Sequence, residues 1–294
     1  MNNIINYIII TISIIIFIIL LNLYIFISVN PSLKFKGKGV IMLKFKKYTI
    51  PYIFIDKNDI DHNILKKLNY SIIFKPNTCG GFANEVKLIN NYKEAIKYIK
   101  NSKDRYIIVQ EYDDSPFEGT IYYIKNPKTK EVRIIVSERV IKSGHKIWTS
   151  SKSYKFDNYT IHRPELETTE LRDKIIQITN LIPDFYFGRY DIKFKSHDLL
   201  KHGKGFKIIE LNSQFSMDTR YDVKQSKTYN FKVALNLIGN LYKIGLYNII
   251  RRDGCNINTY INNTKHIIYW LTRCNHGKNF ANVFRKFDRI FKKN

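Results

Sequence analysis

Two short segments hold the side chains best suited to chemistry: GRYDIKFKS at 188–196 and GFKIIELNS at 205–213. Strand alternation directs Arg189 and Asp191 to one face of the first, with Tyr190, Ile192 and Phe194 on the other. In the second the alternation breaks. Phe206 and Ile208 share a face with Glu210 and Asn212, while Ile209 and Leu211 occupy the opposite one. A strand apolar on both faces is central and buried, and a carboxylate at its end is costly without a positive partner. Asp191, Glu210 and Asn212 on neighbouring strands offer the oxygens that a hard divalent ion takes. The bland alternative is that these are solvated acids at strand ends, which is where most carboxylates sit.

The elements that would position these groups can be followed along the chain. YTIPYIFI (48–55) is a strand candidate, and DIDHNILKKLN (59–69) a short helix with Asp59 or Asp61 as its cap. SIIFKPN (71–77) is an apolar strand that ends at Pro76 and opens into NTCGGFANEV. NYKEAIKYIK (91–100) places Tyr92, Ala95, Ile96 and Ile99 at helical spacing. Buried strands follow at YIIVQEY (106–112), GTIYYIK (119–125) and EVRIIVSERVI (131–141), the last two separated by the hairpin-like break NPKTK. Residues 142–160 have the polar, lysine-rich composition of a loop, and a helix is expected over 165–181. From 225 onward the pattern is helical. The terminal NFANVFRKFDRIFKKN puts Phe280, Val283, Phe284, Phe287 and Phe291 on one face and Arg285, Lys286, Arg289 and Lys292 on the other, fitting a packed helix or a membrane-surface one.

Residues 4–28 carry no charge, and roughly 25 residues at about 1.5 Å each exceed the hydrocarbon thickness of a bilayer. A single transmembrane helix is expected there. A cleaved signal peptide fits less well, since no basic residue precedes the run and no small-x-small site follows it. Lys34, Lys36, Lys38, Lys44, Lys46 and Lys47 follow the run, so the positive-inside rule places the C-terminal part in the cytosol. The 294 residues carry 49 Lys and Arg against 25 Asp and Glu, a formal charge of +24. Zinc-finger spacing and RNA-binding aromatic signatures are absent, so a basic face beside an anionic leaflet is expected rather than a nucleic-acid partner. Cys79, Cys255 and Cys274 form no disulfide framework or paired metal spacing. Walker, Rossmann, HEXXH and nucleophile-elbow motifs are also missing.

In chain order the sequence offers Lys75 before a Gly80-Gly81 loop, then Gln110-Glu111-Tyr112, Glu118, Gly188-Arg189-Tyr190-Asp191 and Glu210-Leu211-Asn212. This order resembles the ATP-grasp superfamily, and within it the D-alanine:D-alanine ligase-like carboxylate–amine ligases, over roughly residues 45–245. The resemblance implies an α+β protein with the ATP-grasp fold, two α+β lobes clasping ATP, behind one N-terminal transmembrane helix. The corresponding division is an anchor at 1–29, a basic lead at 30–70, the grasp domain at 71–245 and a basic helical tail at 246–294.

The resemblance also implies roles. Lys75 would meet the ATP phosphates, and Gly80 and Gly81 would close backbone amides over them. Gln110, Glu111 and Tyr112 would form the hinge that reads adenine, and Glu118 would accept the ribose hydroxyls. Asp191, Glu210 and Asn212 would hold Mg2+, and Arg189 would act in catalysis by neutralising the transferred group. Lys36 or Lys38 and Lys152 or Lys155 match further family lysines, and Arg220 could hold a substrate carboxylate. The implied reaction joins an unidentified carboxylate, activated as an acyl phosphate, to an unidentified amine. Two departures stand out: only about 40 residues separate the apolar run from the Lys75 strand, and Ser213-Gln214-Phe215-Ser216 replaces the family's proline-glycine turn. They leave two alternatives, a nucleotide- or polyanion-binding membrane adaptor whose chemistry has lapsed, and an ATP-grasp kinase.

Overall fold

The structure, a computed structural model, describes residues 2–33, 38–77, 85–140, 159–213, 216, 220 and 226–253. Among these, the strands form two antiparallel sheets. The first has the order β1 (Tyr52–Asp56), β4 (Tyr106–Glu111), β2 (Ile72–Pro76), β3 (Lys87–Ile89). The second has the order β7 (Tyr159–His162), β6 (Val132–Val140), β5 (Phe117–Lys125), β8 (Phe187–Phe194), β9 (Phe206–Asn212). The architecture is α+β, as the resemblance implies.

One face of the first sheet is sealed by α3 (His62–Lys66) and α4 (Tyr92–Asn101), which bring Leu65, Ala95, Tyr98 and Ile99 onto Ile72, Phe74, Ile107 and Val109. Both helices start on a side-chain cap. The Asp61 carboxylate accepts from the amides of Asn63 and Ile64, and the Asn91 side chain accepts from the amide of Glu94. Glu94 returns the contact by accepting from the Asn90 amide at 2.9 Å, a variant of the reciprocal capping box.

The second sheet packs one face on α5 (Thr169–Thr179) and α6 (His197–Lys201), burying Ile121, Tyr123, Tyr190 and Ile192 against Leu171, Ile175 and Leu200. The helix expected over 165–181 is thus two pieces, a 3-10 turn at Pro164–Leu166 and α5, divided by Thr168, whose hydroxyl caps α5. The basic lead is part of this core as well. After α2 (Lys38–Met42), Met42 and Phe45 enter the same apolar cluster. Half of the opposite face is covered by α7 (Lys227–Asn248), through Leu241 and Ile244 on Tyr122, Ile135 and Phe187. The other half of that face is polar.

The broken alternation of β9 has a physical cause that sequence parity misplaces. A β-bulge interrupts the pairing with β8: Asp191 faces Glu210 and Ile192 faces Ile208, so Ile209 is the extra residue. Ile208 and Leu211 consequently both lie in the core, while Glu210 and Asn212 turn to the polar face. The expectation that Ile208 shares a face with Glu210 is therefore corrected. The bulge lets one strand bury two isoleucyl and leucyl side chains and still aim its acid at the site.

Residues 2–27 form a helix, α1 (Asn2–Ile27), with no charged residue in it. Over the described residues, no helix is long and apolar enough to cross a membrane, so the fold itself adds no support to the expected span. The C-terminal turn of α1 belongs to the domain: Tyr24, Ile25 and Ile27 pack against Ile249 and Tyr242. Polar joints fix the segment after α1. Asn248 donates to the carbonyl of Ser28 at 2.8 Å, and buried Asn30 accepts from the amides of Tyr186 and Phe187 at 2.8 and 3.1 Å. Gly245 is needed where the helices cross, because a Cβ there would run into the Ile25 carbonyl. Alanine at 245 gains about 1 kcal/mol of helix propensity but incurs overpacking of about 1–3 kcal/mol. Gly245→Ala is expected to loosen α1, measured as faster chymotryptic cleavage at Tyr24 and Phe26.

Candidate functional site

The polar half of the second sheet is built by register. On β5, Glu118 lies opposite Arg139 of β6 and Lys193 of β8, Thr120 opposite Asp191, and Tyr122 opposite Arg189. On the other side of β8, Asp191 faces Glu210 and Arg189 faces Asn212. The strand period puts all of these side chains on one face. They form one hydrogen-bonded network. Arg189 Nε donates to Asp191 Oδ1 at 2.6 Å, and Arg139 donates to Glu118 Oε1 at 2.9 Å and to Asp191 Oδ2 at 3.0 Å. The Asn212 amide donates to Glu210 Oε1 at 2.9 Å and to Asp191 Oδ2 at 3.3 Å.

Two further groups reach in from outside this sheet. Lys38 Nζ donates to Glu210 Oε2 at 2.9 Å. Its position is set by Asn77 at the end of the β2 strand, whose carbonyl accepts from the Lys38 amide and whose side chain accepts from the Gly39 amide, both at 2.9 Å. A Cβ at position 39 would overlap the Phe54 ring, so this close approach requires glycine. From the first sheet comes Lys75, 2% exposed, which donates to Gln110 Oε1 and to the Ile209 carbonyl, each at 2.9 Å. Gln110 donates to the same carbonyl at 3.3 Å and to that of Ile50 at 3.4 Å. The bulged residue thus supplies the acceptor that joins the sheets, and Lys75 is the staple between them. The seam continues in the backbone, where the Ile50 amide donates to the Ile208 carbonyl at 3.1 Å.

The electrostatics follow from burial and pairing. Burial pushes the Lys75 ammonium down from 10.5 to about 8, against the upward pull of Glu210 and with a further downward push from Lys38. Burial alone would raise the Glu210 carboxyl, yet the Lys38 and Lys75 ammoniums hold it well below the carboxylate range. Burial opposes the charge on Arg189, and Asp191 more than restores it. Lys75, Glu210 and Arg189 are therefore ionised at neutral pH.

Asp191, Glu210 and Asn212 converge as the sequence predicts, and Lys75, Arg189 and Glu118 join them. Gln110 is present through its side chain, locked on Lys75, while its backbone lies inside a strand paired on both sides. Glu118 is engaged by Arg139 and, at 3.7 Å, by Lys193. Glu111 is exposed at the end of β4, its amide donating to the Pro51 carbonyl at 2.9 Å. Tyr112 is half-buried in the segment leading to β5, and burial and the nearby acids Asp114 and Glu118 raise its hydroxyl. Gly80, Gly81, Lys36, Lys152 and Lys155 lie outside the described residues.

Arg139 and Lys193 are the groups that sequence inspection overlooks. Counting outward from the NPKTK turn gives the signal for the first, since a regular hairpin sets Arg139 opposite Glu118.

No protein-family model and no curated protein matches the chain. Among solved structures, the D-alanine–D-alanine ligase from Coxiella burnetii superposes with a TM-score of 0.51 at 10% identity, over 78% of this chain and 61% of the ligase. Two structures of the Bacillus anthracis D-alanine–D-alanine ligase also match. One gives a TM-score of 0.48 at 16% identity, over 74% of this chain and 68% of the ligase. The other, complexed with ATP, gives 0.49 at 15% identity, over 73% and 68%. This chain thus spans about two-thirds of those ligases. The Coxiella likeness is one of fold alone.

Proposed function

We propose that the protein is a membrane-anchored, ATP-dependent carboxylate–amine ligase whose phosphate-handling centre is the Lys38–Lys75–Arg189–Asp191–Glu210–Asn212 network. The observation that carries the proposal is the convergence of those groups at the seam between the sheets, on the fold that the Coxiella ligase shares. In the reaction, a carboxylate oxygen bonds to the γ-phosphorus as the bond from that phosphorus to the bridging oxygen breaks and ADP departs. The amine nitrogen then attacks the acyl carbon, and phosphate leaves with its bonding pair as the amine loses a proton. Neither step needs a side-chain nucleophile, so the demands on the protein are positioning and positive charge.

Lys38, Lys75 and Arg189 supply that charge. Asp191 aligns Arg189 through two hydrogen bonds, at 2.6 and 3.1 Å, and so fixes the guanidinium plane. Lys75 holds the two sheets at a constant separation while its charge faces the centre.

The donor set also fits magnesium. Two carboxylates and an amide oxygen are hard ligands, and their side chains already lie within hydrogen-bond reach of one another. Among the described residues no cluster of three or more His, Cys, Asp or Glu is placed to hold a metal alone, so Asn212 and the phosphates would complete the shell. When bound, the ion would add Lewis-acid neutralisation of the phosphates. Membrane attachment through residues 4–28 rests on the uncharged, apolar sequence of that run. The soluble part would then face the cytosol.

The full chain, purified in detergent, is expected to release ADP from ATP when offered the right pair in a panel of carboxylates and amines. An amide-bonded product supports ligation. A phosphorylated alcohol points instead to the kinase, and ATP binding with no ADP from any acceptor to the lapsed adaptor. Retention of the protein in alkaline-washed membranes tests the anchor.

A further inference from the structure

We infer that this site takes up its triphosphate without a divalent ion, with Arg139 and Lys38 transferring from Asp191 and Glu210 to the phosphate oxygens. The inference rests on the nucleotide-binding reading proposed for the same site.

A site that collects a divalent ion first presents surplus negative charge with unshared lone pairs. This one presents the reverse. Lys38, Lys75, Arg139, Arg189 and Lys193 surround Glu118, Asp191 and Glu210, so five cations against three anions leave two positive charges in excess. The acid oxygens are also engaged. Asp191 Oδ1 accepts from Arg189, and its Oδ2 from Arg139, Arg189 and Asn212. Glu210 Oε2 accepts from Lys38, and its Oε1 from Asn212.

A lone divalent ion would enter a positive field and would also have to displace an ammonium and a guanidinium. A triphosphate is attracted by the same field, and its oxygens are the acceptors for which an arginine fork is shaped. Arg139 bridges two acids, one nitrogen on each, so its departure removes one cation from each, with Lys193 remaining on Glu118 and Arg189 and Asn212 remaining on Asp191. Of the cations in this network, Lys38 and Arg189 are the most exposed, at 20% and 16% of the side chain, and Arg139 at 8% is the more buried.

The test is calorimetric titration of the full chain with ATP in EDTA and with ATP in excess magnesium, alongside electron paramagnetic resonance of manganese(II) added without nucleotide. ATP in EDTA is expected to bind within about tenfold of its affinity in magnesium, and manganese alone to remain free. Arg139→Met should weaken metal-free binding by about tenfold to a hundredfold, the worth of a charge-assisted hydrogen bond, with Arg139→Lys recovering part of it. Binding only in magnesium, or manganese captured by the nucleotide-free protein, overturns the inference while leaving the nucleotide reading standing. Failure of ATP to bind under both conditions removes the nucleotide reading itself. The wild-type comparison decides the matter even if the Arg139 variants do not fold.

Discussion

Glu210→Gln is expected to lower ADP formation by about a hundredfold to a thousandfold and to destabilise the folded protein at neutral pH, an unusual pairing for an isosteric change at an active site. The catalytic loss follows from removing a fixed charge that positions two ammoniums and offers an oxygen to the metal, since single preorganised electrostatic groups are worth about a hundredfold to a thousandfold. The stability loss follows from the same contacts. Glu210 accepts from Lys38 at 2.9 Å and is the nearest compensating charge for buried Lys75. Removing one partner of a buried pair costs about 3–5 kcal/mol, and partial exposure of Lys38 and Glu210, at 20% and 15%, brings the figure to about 2–3 kcal/mol.

The pH dependence separates lost charge pairing from a packing defect. The folded-state carboxyl of Glu210 is held below its ordinary 4.5, so its stabilisation is fully present above that pH and is lost as the pH falls below it. The stability gap between wild type and Glu210→Gln, measured by urea unfolding, should therefore close on acidification below about pH 4.5. A gap unchanged by acid would assign the loss to packing and remove Glu210 from the charge network.

The folding pattern was legible in the sequence where one local rule governs and unclear where two compete. Asp61 was one of the two caps the sequence offered, beside Asp59, because the oxygen that begins the helix is in the residue itself. The β9 strand obeys two requirements at once, an apolar face for the core and an acid for the site, and the bulge at Ile209 that reconciles them leaves no mark beyond the broken alternation. Lys75 shows the same limit. Its place at the end of an apolar strand identifies it as desolvated, but its acceptors, Gln110 and the Ile209 carbonyl, lie 35 and 134 residues away. Arg139 and Lys193 were hidden among 49 basic residues, in which any single cation carries little information, and Lys38 was offered only as an alternative to Lys36. What exposes Arg139 is the hairpin register, and what exposes Lys38 is Asn77 holding α2 against the end of β2. The convergence of Asp191, Glu210 and Asn212 was legible because it follows from strand alternation and side-chain chemistry, both local. The state of those acids, each already paired with a cation, needed the fold.

Lys75→Met provides the sharpest separation of function from stability in this molecule. Nucleotide affinity should fall by at least about a hundredfold, because a desolvated ammonium in a phosphate site is lost, whereas the unliganded protein should be as stable at pH 7 as the wild type to within about 1 kcal/mol. Two opposing terms give that near balance. Keeping Lys75 charged at 2% exposure costs the fold about 3 kcal/mol, the fall from 10.5 to about 8 taken at about 1.36 kcal/mol per unit, and methionine removes this cost. Against it, Gln110 Oε1 loses its donor, a penalty of about 1–3 kcal/mol, while the Ile209 carbonyl keeps its bond from Gln110.

The pH profile carries the signature. The folded-state value lies below the unfolded one, so between about pH 8 and 10.5 the unfolded chain binds more protons at this site and wild-type stability rises with pH. Above about pH 10 the slope reverses, because burial raises the hydroxyls of Tyr98, Tyr123 and Tyr190 and the unfolded chain ionises first. Wild-type stability should therefore climb by about 2–3 kcal/mol from pH 8 to 10 and then fall, and the Lys75→Met variant should lack the climb. ATP affinity of the wild type should decline through pH 8 as the ammonium is lost, with proton uptake on binding above that pH. A wild-type profile that is flat from pH 8 to 10 would mean that Lys75 is a solvated lysine, and a Lys75→Met protein several kcal/mol weaker at pH 7 would mean that its bonds to Gln110 and the Ile209 carbonyl outweigh its desolvation; either result overturns the predicted balance.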